Sequence, residues 1–230
     1  NIKLLVLSVF VVVLSCSTPS NKTSKDTISI IKDISYANIG DTSTTLDLYI
    51  PNNDGKTPLP LIIYIHGGGW MKGDKSMSHI PLTSFAEKGY ITASLNYRLS
   101  HVAKFPAAVE DCKAAVRWLK ANAEKYNIDT ARVGVWGTSA GGHLSLMVGY
   151  ADASAGFDVG DNLSVSSRVQ AVISFFGPAD FSKGHIDFQG GEGSAPLQFL
   201  GGTLEEKPDE YKRVSPVTYA SQDDPPVLLI

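Results

Sequence analysis

The sequence predicts an α/β fold in which a mixed, mostly parallel sheet carries helices on both faces. Three observations carry that expectation. Apolar, β-branched runs alternate with stretches of helical spacing along most of the 230 residues. One such run, residues 60–65, ends in His66-Gly67-Gly68-Gly69-Trp70. Another, residues 132–136, ends in Gly137-Thr138-Ser139-Ala140-Gly141-Gly142, and a helical stretch follows it directly.

The N-terminal stretch stands apart from this pattern. Lys3 precedes an apolar segment over residues 4–14, which is too short to span a bilayer but suits the hydrophobic region of a secretion signal. Val13-Leu14-Ser15-Cys16 then resembles the lipobox of bacterial lipoproteins, with Val13 in place of the usual leucine. The resemblance implies that Cys16 is lipidated and anchors the protein to a membrane of the bacterial cell envelope. The expected layout is a signal segment over 1–16, a Ser/Thr/Lys-rich tether over 17–27 and one α/β domain over 28–230.

Within the domain, residues 44–50 alternate, with Leu46, Leu48 and Ile50 on one face. That spacing predicts a half-buried antiparallel strand, paired with residues 28–34. Residues 60–65 are apolar without interruption, as expected of a strand buried on both faces of a parallel sheet. A short helix over 78–88 is expected to stop at Gly89, before a strand over 90–97. Pro106 opens a helix whose apolar face is Val109, Cys112, Val116, Leu119 and Ala123. The strand over 132–136 and a helix over 140–150, with Leu144, Met147 and Val148 at helical spacing, come next. A further strand runs to Phe176 and ends at Gly177-Pro178. Residues 178–225 read as irregular, with a helical turn at 196–200, and as part of a lid or substrate wall. Residues 226–230 begin another buried strand.

The two glycine-bearing runs carry the chemistry. Gly-x-Ser-x-Gly between strand and helix is a nucleophile elbow, which lifts the Ser139 hydroxyl clear of the sheet. The glycines after His66 let the backbone turn sharply and present N–H groups, with Gly68 and Gly69 expected as oxyanion donors. The Ala140 N–H, at the helix start, is expected as a further donor.

A serine hydroxyl needs a histidine base, and the histidine needs a carboxylate to orient it. In this arrangement the chain order is Ser, then Asp or Glu, then His. His185 lies in one loop with Asp180, whereas the acid and base of a triad come from different strand ends. His143 is expected to pack on its helix and His66 to brace its loop; His79 and His101 read as surface residues. Asp111 is expected to be structural, early in a helix. Residue 1 is Asn, and residue 230 lies inside an apolar run, so both ends are expected to be cut. The acid and histidine are accordingly expected beyond Ile230, on strand–helix units of roughly sixty residues.

Composition sets further bounds. The chain is 43% apolar and 19% charged, which suits a sizeable core. A net charge of −3 without a basic cluster argues against nucleic acid as a partner. Of two cysteines, Cys112 falls on an apolar helix face, and no metal-ligand cluster or cofactor site is expected.

His66-Gly67-Gly68-Gly69-Trp70, Asn96-Tyr97-Arg98-Leu99-Ser100, Gly137 to Leu144, and Ser215-Pro216-Val217 to Pro226 together resemble α/β-hydrolase-fold carboxylesterases. The resemblance runs over about residues 40–230 and points to the branch with bifunctional feruloyl and acetyl-xylan esterases, related to the hormone-sensitive-lipase-like group. Thr138 stands where that group commonly has Asp, which favours the xylan-esterase-like branch. The resemblance implies a cofactor-free serine carboxylesterase acting on short acyl or aryl esters, including acetyl or feruloyl groups on a plant glycan such as xylan. It implies Ser139 as nucleophile and Gly68, Gly69 and Ala140 as oxyanion donors. Two alternatives remain open. A serine peptidase of the prolyl-oligopeptidase type would carry an aromatic after the elbow serine, where this chain has Ala140. A non-catalytic envelope binding protein would leave Ser139 unreactive toward a fluorophosphonate.

Overall fold

The computed structural model describes residues 28–37, 44–53, 55–182 and 194–230. The expected signal, Cys16 and the tether lie outside the described residues, as does His185. Seven strands form one mixed sheet in the order β1-β2-β4-β3-β5-β6-β7. They are β1 Ser29–Ser35, β2 Thr45–Ile50, β3 Leu59–Ile65, β4 Ile91–Leu95, β5 Ile128–Thr138, β6 Ala171–Phe175 and β7 Val227–Leu229. The β1–β2 and β2–β4 pairs are antiparallel, and β3, β4, β5, β6 and β7 run parallel.

The helices are α1 Thr83–Ala86, α2 Ala107–Ala121, α3 Ala123–Tyr126, α4 Ala140–Tyr150, α5 Ala195–Leu200 and α6 Pro208–Arg213. The main core lies on one sheet face, where Leu61, Ile63, Ile65, Val133, Val135 and Val172 meet Val109, Cys112, Val116 and Leu119 of α2 and the buried side chains of α4. Tyr64 and Trp136 point to the opposite face with Leu82 and Phe85. There Ile62, Phe85, Trp136, Ile173 and Phe175 line an apolar groove of about 630 Å³.

Several elements differ from the sequence expectation. The run 226–230, expected to be buried, forms strand β7 at the edge of the sheet, with Leu228 and Leu229 exposed. The helix expected over 78–88 is only one turn, because Pro81 donates no N–H and the Ser78 hydroxyl bonds the Ile80 carbonyl instead, at 2.6 Å. The strand expected over 132–136 starts earlier, at Ile128, and its register against β3 shifts between Leu59 and Leu61. The helical turn expected at 196–200 is α5, whereas the irregular reading of the rest of 178–225 is corrected by α6 and a 3₁₀ turn, Pro216–Thr218. Each helix is too short for its period to show. Their ends carry the signals instead: Pro196 and Gly201 bracket α5, while Pro208, Asp209 and Lys212 suit the two ends of α6.

Buried charge also shapes the fold. Lys113 and Arg117 of α2 are almost fully buried, and Asp158 bonds both, at 3.1 and 2.5 Å. Lys113 Nζ also donates to the Ala151 carbonyl at 2.6 Å, and Arg117 to the Asp161 carbonyl at 3.2 Å. These bonds pin the loop that follows α4 onto α2.

Candidate active site

Ser139 sits between β5 and α4 with φ 56° and ψ −119°, a conformation that non-glycine residues rarely adopt. Main-chain bonds hold it there. Its N–H donates to the Phe175 carbonyl at 2.7 Å, and its carbonyl accepts from the His143 N–H at 3.0 Å. The residue is exposed, so its hydroxyl faces solvent at the parallel strands' C-terminal edge.

The glycine run lies beside it. Strands β3 and β5 are hydrogen-bonded neighbours with Ile65 opposite Gly137, so the loops after them emerge side by side. A Cβ added to Gly67 would stand 2.6 Å from the Thr138 carbonyl oxygen and 3.6 Å from the Ser139 Cβ. One added to Gly141 would stand 2.1 Å from the Ile65 carbonyl oxygen and 2.6 Å from that of His66. The two loops thus interlock through backbone that has no room for side chains.

The chain then reverses through three left-handed residues, Gly68 (φ 119°), Gly69 (φ 61°) and Trp70 (φ 59°). The Met71 and Lys72 N–H groups close the turn on the Gly68 carbonyl at 3.2 and 3.1 Å. Among the described residues, the N–H groups of Gly68, Gly69 and Ala140 meet no acceptor. An anion near the Ser139 hydroxyl would find such unpaired donors on the two adjoining loops, together with the positive end of α4.

The run 96–100 braces this loop from behind. Tyr97 donates its hydroxyl to the His66 carbonyl at 3.0 Å and stacks on the His66 ring, with centroids 4.3 Å apart. The Ser100 N–H bonds the Trp70 carbonyl at 2.8 Å, and Asn96 accepts from the Lys75 N–H at 2.6 Å. Arg98 grips Asp111 through its guanidinium, at 2.7 Å for the shortest contact, and through its backbone N–H, at 2.9 Å. Asp111 therefore anchors the bracket to α2. Sequence reasoning used this run only as a point of resemblance; its bracing role depends on residues some thirty positions away.

Neither buried histidine is free to serve as a base at this site. His66 Nδ1 lies 2.7 Å from the Gly67 carbonyl, and burial pushes the ring's pKa down against the pull of that bond. His143 is fully buried between Trp70 and the Val214 carbonyl, and burial lowers its pKa to about 4. His79 and His101 are exposed, as expected.

The two depressed values have a stability consequence of definite sign. Above pH 6.5 the imidazoles are neutral in both folded and unfolded chains, so neither favours unfolding. As pH falls below 6.5, the unfolded chain binds protons that the folded chain refuses, in His143 until about pH 4, and stability drops as it does so. His143 alone is expected to remove about 2 kcal/mol between pH 7 and pH 5. Urea unfolding at the two pH values checks this; equal midpoints would contradict a neutral, buried His143.

The structure thus brings together Ser139, Gly68, Gly69 and Ala140. Two features were not foreseen. An aromatic box surrounds Trp70, which stacks on Phe199 at 4.7 Å and also meets His143 and Phe181. Helix α5 abuts the glycine loop, where a Cβ on Gly69 would stand 3.1 Å from that of Ala195. Clusters of aromatic residues after Gly177 were the available sequence signal. Among the described residues, no group of three His, Cys, Asp or Glu side chains could hold a metal ion.

Comparison with known proteins identifies the family and the fold. The profile of the BD-FAE family matches residues 46–230. The chain is 33% identical over 205 residues to the probable carboxylic ester hydrolase LipM of Mycobacterium tuberculosis, covering 86% of this chain and 46% of LipM. Among solved structures, a bifunctional GH43-CE protein of Bacteroides eggerthii superposes with a TM-score of 0.80 at 32% identity, over 87% of this chain and 28% of that one. A truncated carbohydrate esterase from gut microbiota gives a TM-score of 0.80 at 30% identity, over 90% of this chain and 77% of that one. The chain spans about half the length of the curated relatives it matches.

Proposed function

Since the chain belongs to the BD-FAE family of α/β-hydrolase proteins, we propose that the whole protein is a serine carboxylesterase with Ser139 as its nucleophile. The carrying observation is the exposed, strained Ser139 beside unpaired N–H groups of an adjoining loop. Ser139 Oγ attacks the ester carbonyl, and a histidine outside the described residues takes its proton. The carbonyl oxygen becomes negative and is held by N–H groups drawn from Gly68, Gly69 and Ala140. The same histidine protonates the leaving alcohol, and water then releases the acyl group from Ser139 by the reverse sequence.

Short acyl or aryl esters, acetyl or feruloyl groups on a plant glycan such as xylan among them, are the substrates we favour. The similarity to a carbohydrate esterase from gut microbiota supports that choice. The test is covalent. A fluorophosphonate added to the whole protein is expected to label Ser139, as read by mass spectrometry of the peptide that carries it. Acetyl and feruloyl xylo-oligosaccharides are expected to compete, and absence of label at Ser139 would refute the reading.

Lipidation of Cys16 and an envelope location are part of the same proposal and rest on the sequence. Cells fed an alkyne fatty acid are expected to yield labelled protein, with the label lost in Cys16→Ala. Equal labelling of both would overturn the anchor.

A further inference from the structure

We infer that His143 is a positioning residue: clamped between the Trp70 indole and the Val214 carbonyl, it holds the glycine loop, and with it the Gly68 and Gly69 amides, in register with Ser139. The inference rests on the esterase reading above for its kinetic consequences, but not for the geometry.

Trp70 Nε1 lies 3.2 Å from His143 Nδ1, and His143 Nε2 lies 2.8 Å from the Val214 carbonyl oxygen. Indole N–H can only donate, and a carbonyl can only accept. The two neighbours therefore fix one tautomer, with Nδ1 bare and the proton on Nε2. A ring that burial keeps neutral is what this arrangement requires. Few side chains can accept on one side and donate on the other inside a closed aromatic box.

The loop needs such an anchor. Trp70 is a bulky residue with φ 59°, and the residues ahead of it, Gly68 and Gly69, also have positive φ. Strain of this kind persists only where surroundings over-determine the conformation. Trp70 is held through its carbonyl by the Ser100 N–H at 2.8 Å, through its ring face by Phe199, and through its ring N–H by His143. Of these holds, only the last is tied to the helix that carries Ser139. The His143 backbone N–H donates to the Ser139 carbonyl at 3.0 Å, so one residue touches the elbow with its main chain and the glycine loop with its side chain. His143 also links both to the segment after α6 through Val214.

In the whole protein, His143→Leu removes both bonds, Trp70→Phe removes the indole donor and part of the ring while keeping an aromatic face, and His143→Gln offers an amide that can accept from Trp70 and donate to Val214. With p-nitrophenyl acetate, His143→Leu is expected to lower kcat roughly 30-fold, with KM moving less than about threefold, because misplaced oxyanion donors weaken the transition state more than the ground state. Fluorophosphonate labelling of Ser139 slows in parallel. Trp70→Phe gives a similar loss, the double variant loses no more than either single, and His143→Gln recovers most of the rate. A role confined to packing predicts otherwise: lower melting temperatures with kcat unchanged in the folded protein, and that result overturns the inference. If His143→Leu does not fold, Trp70→Phe and His143→Gln carry the same comparison. Ser139→Ala, run alongside, separates this failure from that of the esterase reading. Should the wild type show no Ser139-dependent turnover, hydrogen exchange decides the positioning alone. The Met71 and Lys72 amides, which close the loop on Gly68, are expected to exchange at least about tenfold faster in Trp70→Phe than in wild type. Unchanged exchange overturns the inference.

Discussion

Ser139→Ala in the whole protein is expected to lower kcat for p-nitrophenyl acetate by about five to six orders of magnitude, the loss seen when a nucleophile is removed from a serine hydrolase. In the proposed reaction the hydroxyl is the atom that forms the acyl bond, and no other hydroxyl is held in this elbow geometry among the described residues. Residual rate over water would come from the amides that remain in place. The substitution leaves the main-chain bonds to Phe175 and His143 intact, and the altered side chain is exposed. Melting temperature should therefore shift by less than about 4 °C, corresponding to roughly 1 kcal/mol or less in a domain of this size. A fall in kcat of under tenfold in folded protein would remove Ser139 from the chemistry.

Gly141→Ala is expected to lower both stability and rate, by a different route. Its added Cβ would lie 2.1 Å from the Ile65 carbonyl oxygen and 2.6 Å from that of His66. Both atoms belong to the main chain of β3 or its immediate continuation, so no rotamer change relieves the clash. Either α4 moves away from the sheet or the end of β3 bends, and both displace the glycine loop relative to Ser139. Overpacking of this kind costs about 3 kcal/mol or more. A shift of about 1 Å between reacting groups costs on the order of 100-fold in rate. Chemical denaturation and kcat measured on the same preparation check both effects. Wild-type stability and rate would mean that the loops are not interlocked as described.

Much of this was legible in the chain because its causes are local. Strands β3 and β6, and the second half of β5, are short apolar runs that lead into glycine turns, and turn residues mark their ends in any context. The elbow and the glycine run were legible for the same reason, since each is a contiguous string whose geometry follows from its own backbone. The bounds of α4 were equally clear, although its burial was not: residues 140–149 are all buried, which the helical spacing of Leu144, Met147 and Val148 does not reveal. Interactions between distant segments were hidden. Nothing in the α2 sequence reveals that Lys113 and Arg117 face inward, because the carboxylate that makes this tolerable, Asp158, arrives from a loop more than forty residues later. The same holds for His143, whose partners lie 73 and 71 positions away. Its neighbours on the helix announced only that it would be packed.

Helix α4 has no solvent-facing side before Tyr150, and densely packed surroundings resist displacement in any direction. The Ser139 hydroxyl therefore rides at the start of a tightly confined helix and serves as a fixed datum. In the proposed reaction, adaptation to a new acyl or alcohol group has to come from the periphery, where α6 and the turns around it are short and largely solvent-facing. Sequence drift in that rim can retune what is accepted while the bond-breaking geometry stays as it is.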